Sequence, residues 1–358
     1  MSSKFKRLDS EQRLIARENR KLIKDYEKDL KRTNYTRSEF VARMKNDENV
    51  LEVENLHTHF ISDHGTVRAV NGVSFDVPEG KIVGIIGEKG SGKSVMSLSI
   101  MQLLDRPAGV IVKGAIRLKL HDDQVVDLAR MPLQELAVVR GTAVTMVTDE
   151  PVSNLNPVFT IGDQLEDVIG FYDADLSQEE IKERSIRALK LVKIRNADEV
   201  YTMYPSQLSA GMRQRVSIAI ALACEPSVII LDEPTRSLDV TIQAQINDLL
   251  LDLTRENRTT MILISNDLGD VSVLCDYVIV MKEGRVVERG TTEEIFHTPA
   301  HPYTLSLLDP LTDAGHNVDL LYPTSLSYEL GGPQDETSLE TSEMEQLTET
   351  HYVESFNA

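Results

Sequence analysis

Residues 81–94 read KIVGIIGEKGSGKS, and the fold turns on this stretch. Lys81–Ile86 is a short, almost wholly apolar run, the pattern of a strand buried on both faces. It opens into Gly87–Ser94, which fits the phosphate-loop pattern G-x-x-x-x-G-K-[ST] at every fixed position. Gly87, Gly90 and Gly92 let the backbone curl so that its N–H groups, those of Glu88, Lys89, Ser91 and Val95 included, point at phosphate oxygens. The following helix, expected through Leu104, adds its positive N-terminal end. Lys93 would reach the terminal phosphates, and Ser94 would place its hydroxyl on Mg²⁺. A strand before the loop and a helix after it raise this above a chance match and point to a bound nucleotide.

Outward from the loop, SVIILDEP carries Asp232 and Glu233 to the end of a second buried strand. Asp232 would hold Mg²⁺, directly or through water. Glu233 is placed to polarise an attacking water as general base. MILIS and DYVIVM are further strands with helices between them, and residues 140–225 read as mostly helical. Upstream, LEVENLHTHF and TVRAVNGVSFDV alternate like paired strands, with SDHG able to turn between them. Strands alternating with helices imply an α/β domain with a mainly parallel sheet covered on both faces, plus an antiparallel β subdomain.

The 358 residues suffice for two or more domains. The net charge of −19 argues against general nucleic-acid binding. It is unevenly spread: residues 1–50 hold 14 Lys+Arg against 9 Asp+Glu, whereas residues 309–358 hold 11 Asp+Glu and no Lys or Arg. Residues 9–32 have apolar positions (Leu14, Ile15, Leu22, Ile23, Tyr26, Leu30) at near-helical spacing. A second short helix is expected from Thr36, where Glu39 completes a capping box. We divide the chain into a basic helical extension (1–49), a globular domain (50–308) and an acidic, weakly ordered tail (309–358). The extension reads as an appendage packed on its own domain, or as a contact for a partner subunit or an anionic membrane surface. No apolar run reaches the ~18 residues of a spanning helix, and the charged first twenty residues lack a signal core. The chain is expected on the cytoplasmic side. Cys224 and Cys275 have no metal-ligand spacing and read as buried, reduced core residues.

A third segment, LSAGMRQR (Leu208–Arg215), lies 17 residues before Asp232. Together with GEKGSGKS and IILDEPTRSLD it resembles the signature set of ATP-binding cassette (ABC) ATPases, over about residues 50–308. The resemblance implies a P-loop ATPase fold with a helical subdomain at about 140–225, ATP and Mg²⁺ as ligands, and a head-to-tail pairing with a second cassette. Ser209, Ala210 and Gly211 would then meet the nucleotide bound on the partner, and Ser237–Asp239 would couple the two sites. SNLNPVFTIGDQL, LDVTIQAQI and HTPAHPYTLSLL look like the oligopeptide, dipeptide and nickel importer branch. That branch implies two different cassettes beneath two membrane subunits, fed by an external solute-binding protein. It would place the chain on the cytoplasmic face of the membrane. Many relatives bind an iron–sulfur centre through a C-terminal cysteine cluster; with no cysteine after Cys275, none is expected here. An aromatic usually stacks on adenine, and Phe60 or His64 is the candidate.

The sequence also departs from the family at its hydrolytic positions. Asp149 stands where the family's glutamine contacts Mg²⁺ and the attacking water. A carboxylate can ligate Mg²⁺, but it adds negative charge beside Asp232, Glu233 and the triphosphate. Asn266 stands where a histidine reaches the γ-phosphate; asparagine is shorter and carries no proton charge. Ala210, Lys89 and Arg236 are further departures. The expectation is an importer subunit that binds Mg-ATP and turns it over poorly in its own site. The alternatives are a purely regulatory cassette and, less favoured, a soluble cassette protein of DNA repair or translation.

Overall fold

The computed structural model describes residues 10–63, 65–148, 154–313 and 344–354. The chain begins with α1 (Ser10–Leu30). The long strands β1 (Asn49–Ser62) and β2 (Gly65–Pro78) form an antiparallel hairpin closed by the Ser62–Gly65 pair. Then come β3 (Ile82–Ile86), α2 (Lys93–Ile100), β4 (Gly109–Lys119), β5 (Val125–Asp127), α3 (Leu133–Val139) and β6 (Val144–Val147). A helical stretch follows: α4 (Ile161–Tyr172), α5 (Gln178–Leu191), α6 (Ala197–Tyr201) and α7 (Ala210–Leu222). The chain returns through β7 (Val228–Asp232), α8 (Val240–Asn257), β8 (Met261–Ile264), α9 (Leu268–Leu274), β9 (Tyr277–Lys282), β10 (Arg285–Thr291), α10 (Thr292–His297) and α11 (Pro302–Asp313). A short hairpin, β11 (Met344–Gln346) and β12 (Tyr352–Glu354), comes last.

These strands make two sheets. The smaller is antiparallel, in the order β2-β1-β4-β5, and the larger runs β11-β12-β10-β9-β3-β8-β7-β6. Its central strands β9, β3, β8, β7 and β6 are parallel. The apolar runs at β3, β7 and β8 are buried along their whole length, which is why they show no polar alternation. Alternation persists in what each side chain meets. Ile82 and Ile86 of β3, Ile229 and Leu231 of β7, and Met261 and Leu263 of β8 pack with the helices α4–α8. Val83, Ile85, Val228, Ile230, Ile262 and Ile264 pack in a second core against the antiparallel sheet. Each such side chain contributes about 1.5–3 kcal/mol of burial.

Local signals behave as their chemistry dictates. Thr160/Asp163, Ser177/Glu180 and Thr291/Glu294 close capping boxes at the starts of α4, α5 and α10. Four expectations change. The helix after the phosphate loop stops at Ile100 rather than Leu104. Gln102 takes a left-handed φ of 47°, and Leu103 N–H bonds back to the Leu98 carbonyl at 2.8 Å, a Schellman stop that leaves no sequence mark when the residue is not glycine. The helix expected at Thr36 is one 3₁₀ turn, although Glu39 accepts from Thr36 N–H at 2.8 Å as foreseen. Residues 140–225 include β6, a four-residue edge strand too short to announce itself. Residues 344–354 do not fit the weakly ordered tail: β12 pairs with β10, and His351 and Val353 are buried. There a polar sequence finds partners on the domain rather than a core of its own.

The N-terminal helix packs on the antiparallel sheet. Ala16 and Leu30 are buried, Asn19 Nδ2 donates to the Ser62 carbonyl at 2.8 Å, and Arg20 pairs with Asp63. Leu22, expected on the apolar stripe, is 38% exposed. Cys275 is buried and Cys224 half-buried, both as free thiols.

Candidate functional site

Because β3, β8 and β7 are parallel neighbours, their C-terminal ends share one edge. Ile85 pairs with Ile264, and Ile264 with Asp232, so three loops leave the sheet at one level. These loops carry Gly87–Ser94, Asp232–Glu233 and Ser265–Asn266. Crevices beyond the carboxyl ends of parallel strands are where such sheets bind ligands.

The phosphate loop is held from outside. A Cβ on Gly87 would sit 2.1 Å from the Met281 carbonyl oxygen, and one on Gly92 2.4 Å from that of Ala69. Both glycines also have positive φ, 146° and 102°, so neither position admits a side chain. The turn between β9 and β10 adds a bond from Gly284 N–H to the Ser91 carbonyl at 2.9 Å. The Glu88 N–H, expected among the phosphate donors, instead donates to the Tyr303 hydroxyl at 2.8 Å. Lys93 is 6% exposed, and its ammonium donates to the carbonyls of Gly87 at 2.6 Å and Glu88 at 3.0 Å. Burial lowers its pKa, against the opposing pull of Glu233, Asp232 and Glu88. Lys89, Gly90 and Ser94 face solvent, and Val95 is half-buried against the second core.

A nucleotide triphosphate fits these surroundings. The space around Gly90 is open. The buried Ser91 hydroxyl has no hydrogen-bond partner among the described residues, the kind of orphan a bound oxygen would satisfy.

The carboxylate corner is built differently. Asp232 is buried at the end of β7. Glu233 has a left-handed φ of 51°, costly for a residue with a Cβ. It is pinned by its N–H bond to the Ile264 carbonyl at 2.8 Å. Asn266, exposed beyond β8, donates its side-chain amide to Glu233 Oε1. A cleft of about 580 Å³ opens here, lined by Glu233, Thr235, Gln243, Asn266 and Leu307. Beneath it the carboxylate of Asp270 collects the Thr235 hydroxyl at 2.9 Å, Gln243 Nε2 at 2.9 Å and Asn247 Nδ2 at 2.6 Å. Sequence reading missed this network. Its only trace is Gln243 and Asn247 one helical turn apart in a helix otherwise apolar on its inner face.

The remaining candidates lie elsewhere. Ser209 caps α7 by accepting from Met212 N–H at 3.3 Å, and Ala210 beside it is exposed. Gly211 is buried, and a Cβ there would meet Ile242 Cγ2 at 2.6 Å, so α8 packs closely on the bare backbone of α7 at this point. Phe60 is half-buried in β1 and packs with the second core, its ring near Gly109. Asp149 and His64 lie outside the described residues.

Comparison with known proteins turns this geometry into a family. Residues 70–236 match the sequence profile of the ABC transporter family. The oligopeptide transport ATP-binding protein AppD of Bacillus subtilis is 43% identical over 272 residues, 76% of this chain and 81% of that protein. The chain belongs to the ABC transporter family. The glutathione import ATP-binding proteins GsiA of Shigella boydii and Escherichia coli K12 are also 43% identical over 275 residues, but the chain covers only 44% of their length. Among solved ABC cassettes, the MJ0796 dimer bound to ADP and Pi superposes with a TM-score of 0.58 at 27% identity, over 68% of this chain and 98% of that one. CbiO1 of Clostridium perfringens gives 0.58 at 29% identity, over 75% and 98%. The fold is therefore the α/β nucleotide-binding domain of ABC ATPases, and the family assignment carries ATP binding with it. No helix among the described residues is long and apolar enough to cross a membrane.

Proposed function

We propose that this chain is the ATP-binding subunit of an ABC importer for peptides or a related solute such as glutathione. The observation that carries the reading is the shared strand edge, with Lys93 in the field of Asp232 and Glu233. The names of AppD and GsiA support the transport class.

In this reading the loop amides and Lys93 hold the ATP phosphates. Ser94 and Asp232, with phosphate oxygens, would hold Mg²⁺, which neutralises charge on the phosphates when bound. Two protein ligands suffice, because Mg²⁺ keeps water and phosphate in its remaining positions. Glu233 orients water toward the γ-phosphate. Ser209 and Ala210, exposed at the start of α7, face the nucleotide of a second cassette. Two membrane subunits and an external solute-binding protein complete the assembly, with this chain peripheral on the cytoplasmic face. Phe60 remains the proposed adenine contact.

Turnover at this chain's own site is weak in this reading. Asn266 spends its amide on Glu233 Oε1 and is neutral, so no positive charge develops where a histidine would supply one. Asp149 adds a carboxylate where the family has an amide. Regulation by ATP without turnover is the second reading, and the same pair of residues favours it. The test is to purify the chain with its membrane partners, titrate Mg-ATP, and determine which of the two cassette pockets retains ATP after turnover. Absence of Mg-ATP binding by the purified chain ends the reading.

A further inference from the structure

The segment HPYT, His301–Thr304, has no part in the nucleotide chemistry above, yet it ends against the phosphate loop. Its start is anchored by Glu288 of β10, a carboxylate with no exposed surface. Glu288 accepts from Ala300 N–H at 2.7 Å and His301 N–H at 3.0 Å, and pairs with His351 Nε2 at 2.7 Å. His301 Nδ1 in turn accepts from Tyr303 N–H at 2.9 Å, which sets the start of α11. Tyr303 is 7% exposed, with the Lys282 ammonium 5.1 Å from its ring centroid. Its hydroxyl accepts from Glu88 N–H at 2.8 Å. Glu88 is the residue whose carbonyl accepts from Ser91 N–H at 3.1 Å and from the Lys93 ammonium at 3.0 Å.

We propose that the Tyr303 hydroxyl is a positioning group for nucleotide binding: a strut from the C-terminal segment that fixes the Glu88 peptide and, through it, the aim of Lys93. The proposal rests on the reading of Gly87–Ser94 as the nucleotide site. Three glycines make this loop entropically costly to order. A bond to the buried end of α11 pre-orders the peptide next to Gly87, so less of the ordering cost falls on ligand binding. The strut also keeps one loop amide directed at the protein and leaves the others for phosphate. The hydroxyl touches no reacting atom; its effect travels through Glu88 and Lys93.

The experiment is Tyr303→Phe in the full chain, which keeps the ring and its contact with Lys282. One neutral hydrogen bond is lost, so affinity for Mg-ATP and Mg-ADP should fall about three- to tenfold, with the thermal midpoint in nucleotide-free buffer lowered by no more than about 3 °C. Amide exchange at Glu88 and Ser91 should accelerate while β7 and β8 keep their protection. Affinity within twofold of the parent overturns the proposal. So does a loss of affinity that comes with a thermal midpoint lowered by more than about 3 °C, which would mark Tyr303 as merely structural. If the variant does not fold, the parent chain still decides, because rapid exchange of the Glu88 amide is incompatible with the strut. That exchange needs no nucleotide. Protected Glu88 in a chain that fails to bind Mg-ATP would therefore sink the nucleotide reading and leave the strut standing.

Discussion

Lys93 and Asn266 follow neighbouring parallel strands, yet their surroundings differ in kind. Lys93 is buried, gripped by the carbonyls of Gly87 and Glu88, and the loop around it is braced by Met281, Ala69, Gly284 and Tyr303. Asn266 is exposed, and its amide reaches the carboxylate that would activate water. The phosphate loop keeps every fixed position of its pattern. In the proposed reading the hydrolytic half has the carboxylates, with Asn266 and Asp149 standing where the family has histidine and glutamine. In that reading binding and turnover belong to separate parts of one edge, so one could be lost while the other remains.

Lys93→Ala should break the comparison most visibly. Losing a charge-assisted grip on two phosphates should weaken Mg-ATP binding about 10²–10³-fold; equilibrium titration showing less than tenfold would mean the loop is not the phosphate site. Asn266→His sharpens the other half. Restoring a chargeable donor should raise turnover by up to about 10²-fold, with ATP affinity within threefold, read by ATPase assay of the assembled complex. An unchanged rate would shift the blame to Asp149. Asp270→Asn removes an acceptor from beneath the hydrolytic corner and sets an amide against the donors of Thr235, Gln243 and Asn247. We expect about 1–2 kcal/mol of lost stability in urea unfolding, with Mg-ATP affinity little changed because the phosphate loop does not depend on that network. The smallest effect is expected from Glu233→Gln. If this chain's own corner contributes little to turnover, ATPase of the whole complex should change less than twofold; a loss beyond tenfold would falsify the asymmetric reading.

The amino-acid sequence by itself determined the strands KIVGII, VIIL and MILI, the phosphate loop, the Asp232–Glu233 pair and the Thr36–Glu39 capping box. In each case a local pattern of burial or hydrogen bonding suffices, and neighbours a few residues apart carry the information. The proposed departures at Asp149 and Asn266 were likewise read from each residue's place in a recognisable segment. Other features were decided only by the tertiary structure. The Asn266–Glu233 bond joins residues 33 apart, and the Tyr303–Glu88 bond residues 215 apart. The ordered hairpin at 344–354 depends on β10, on the Glu288–His351 pair and on Thr348 and Thr350 reaching Glu294. The close approach to Gly211 comes from Ile242 on another helix. Such contacts join distant segments whose meeting depends on strand order and helix packing, and no window of sequence contains both partners.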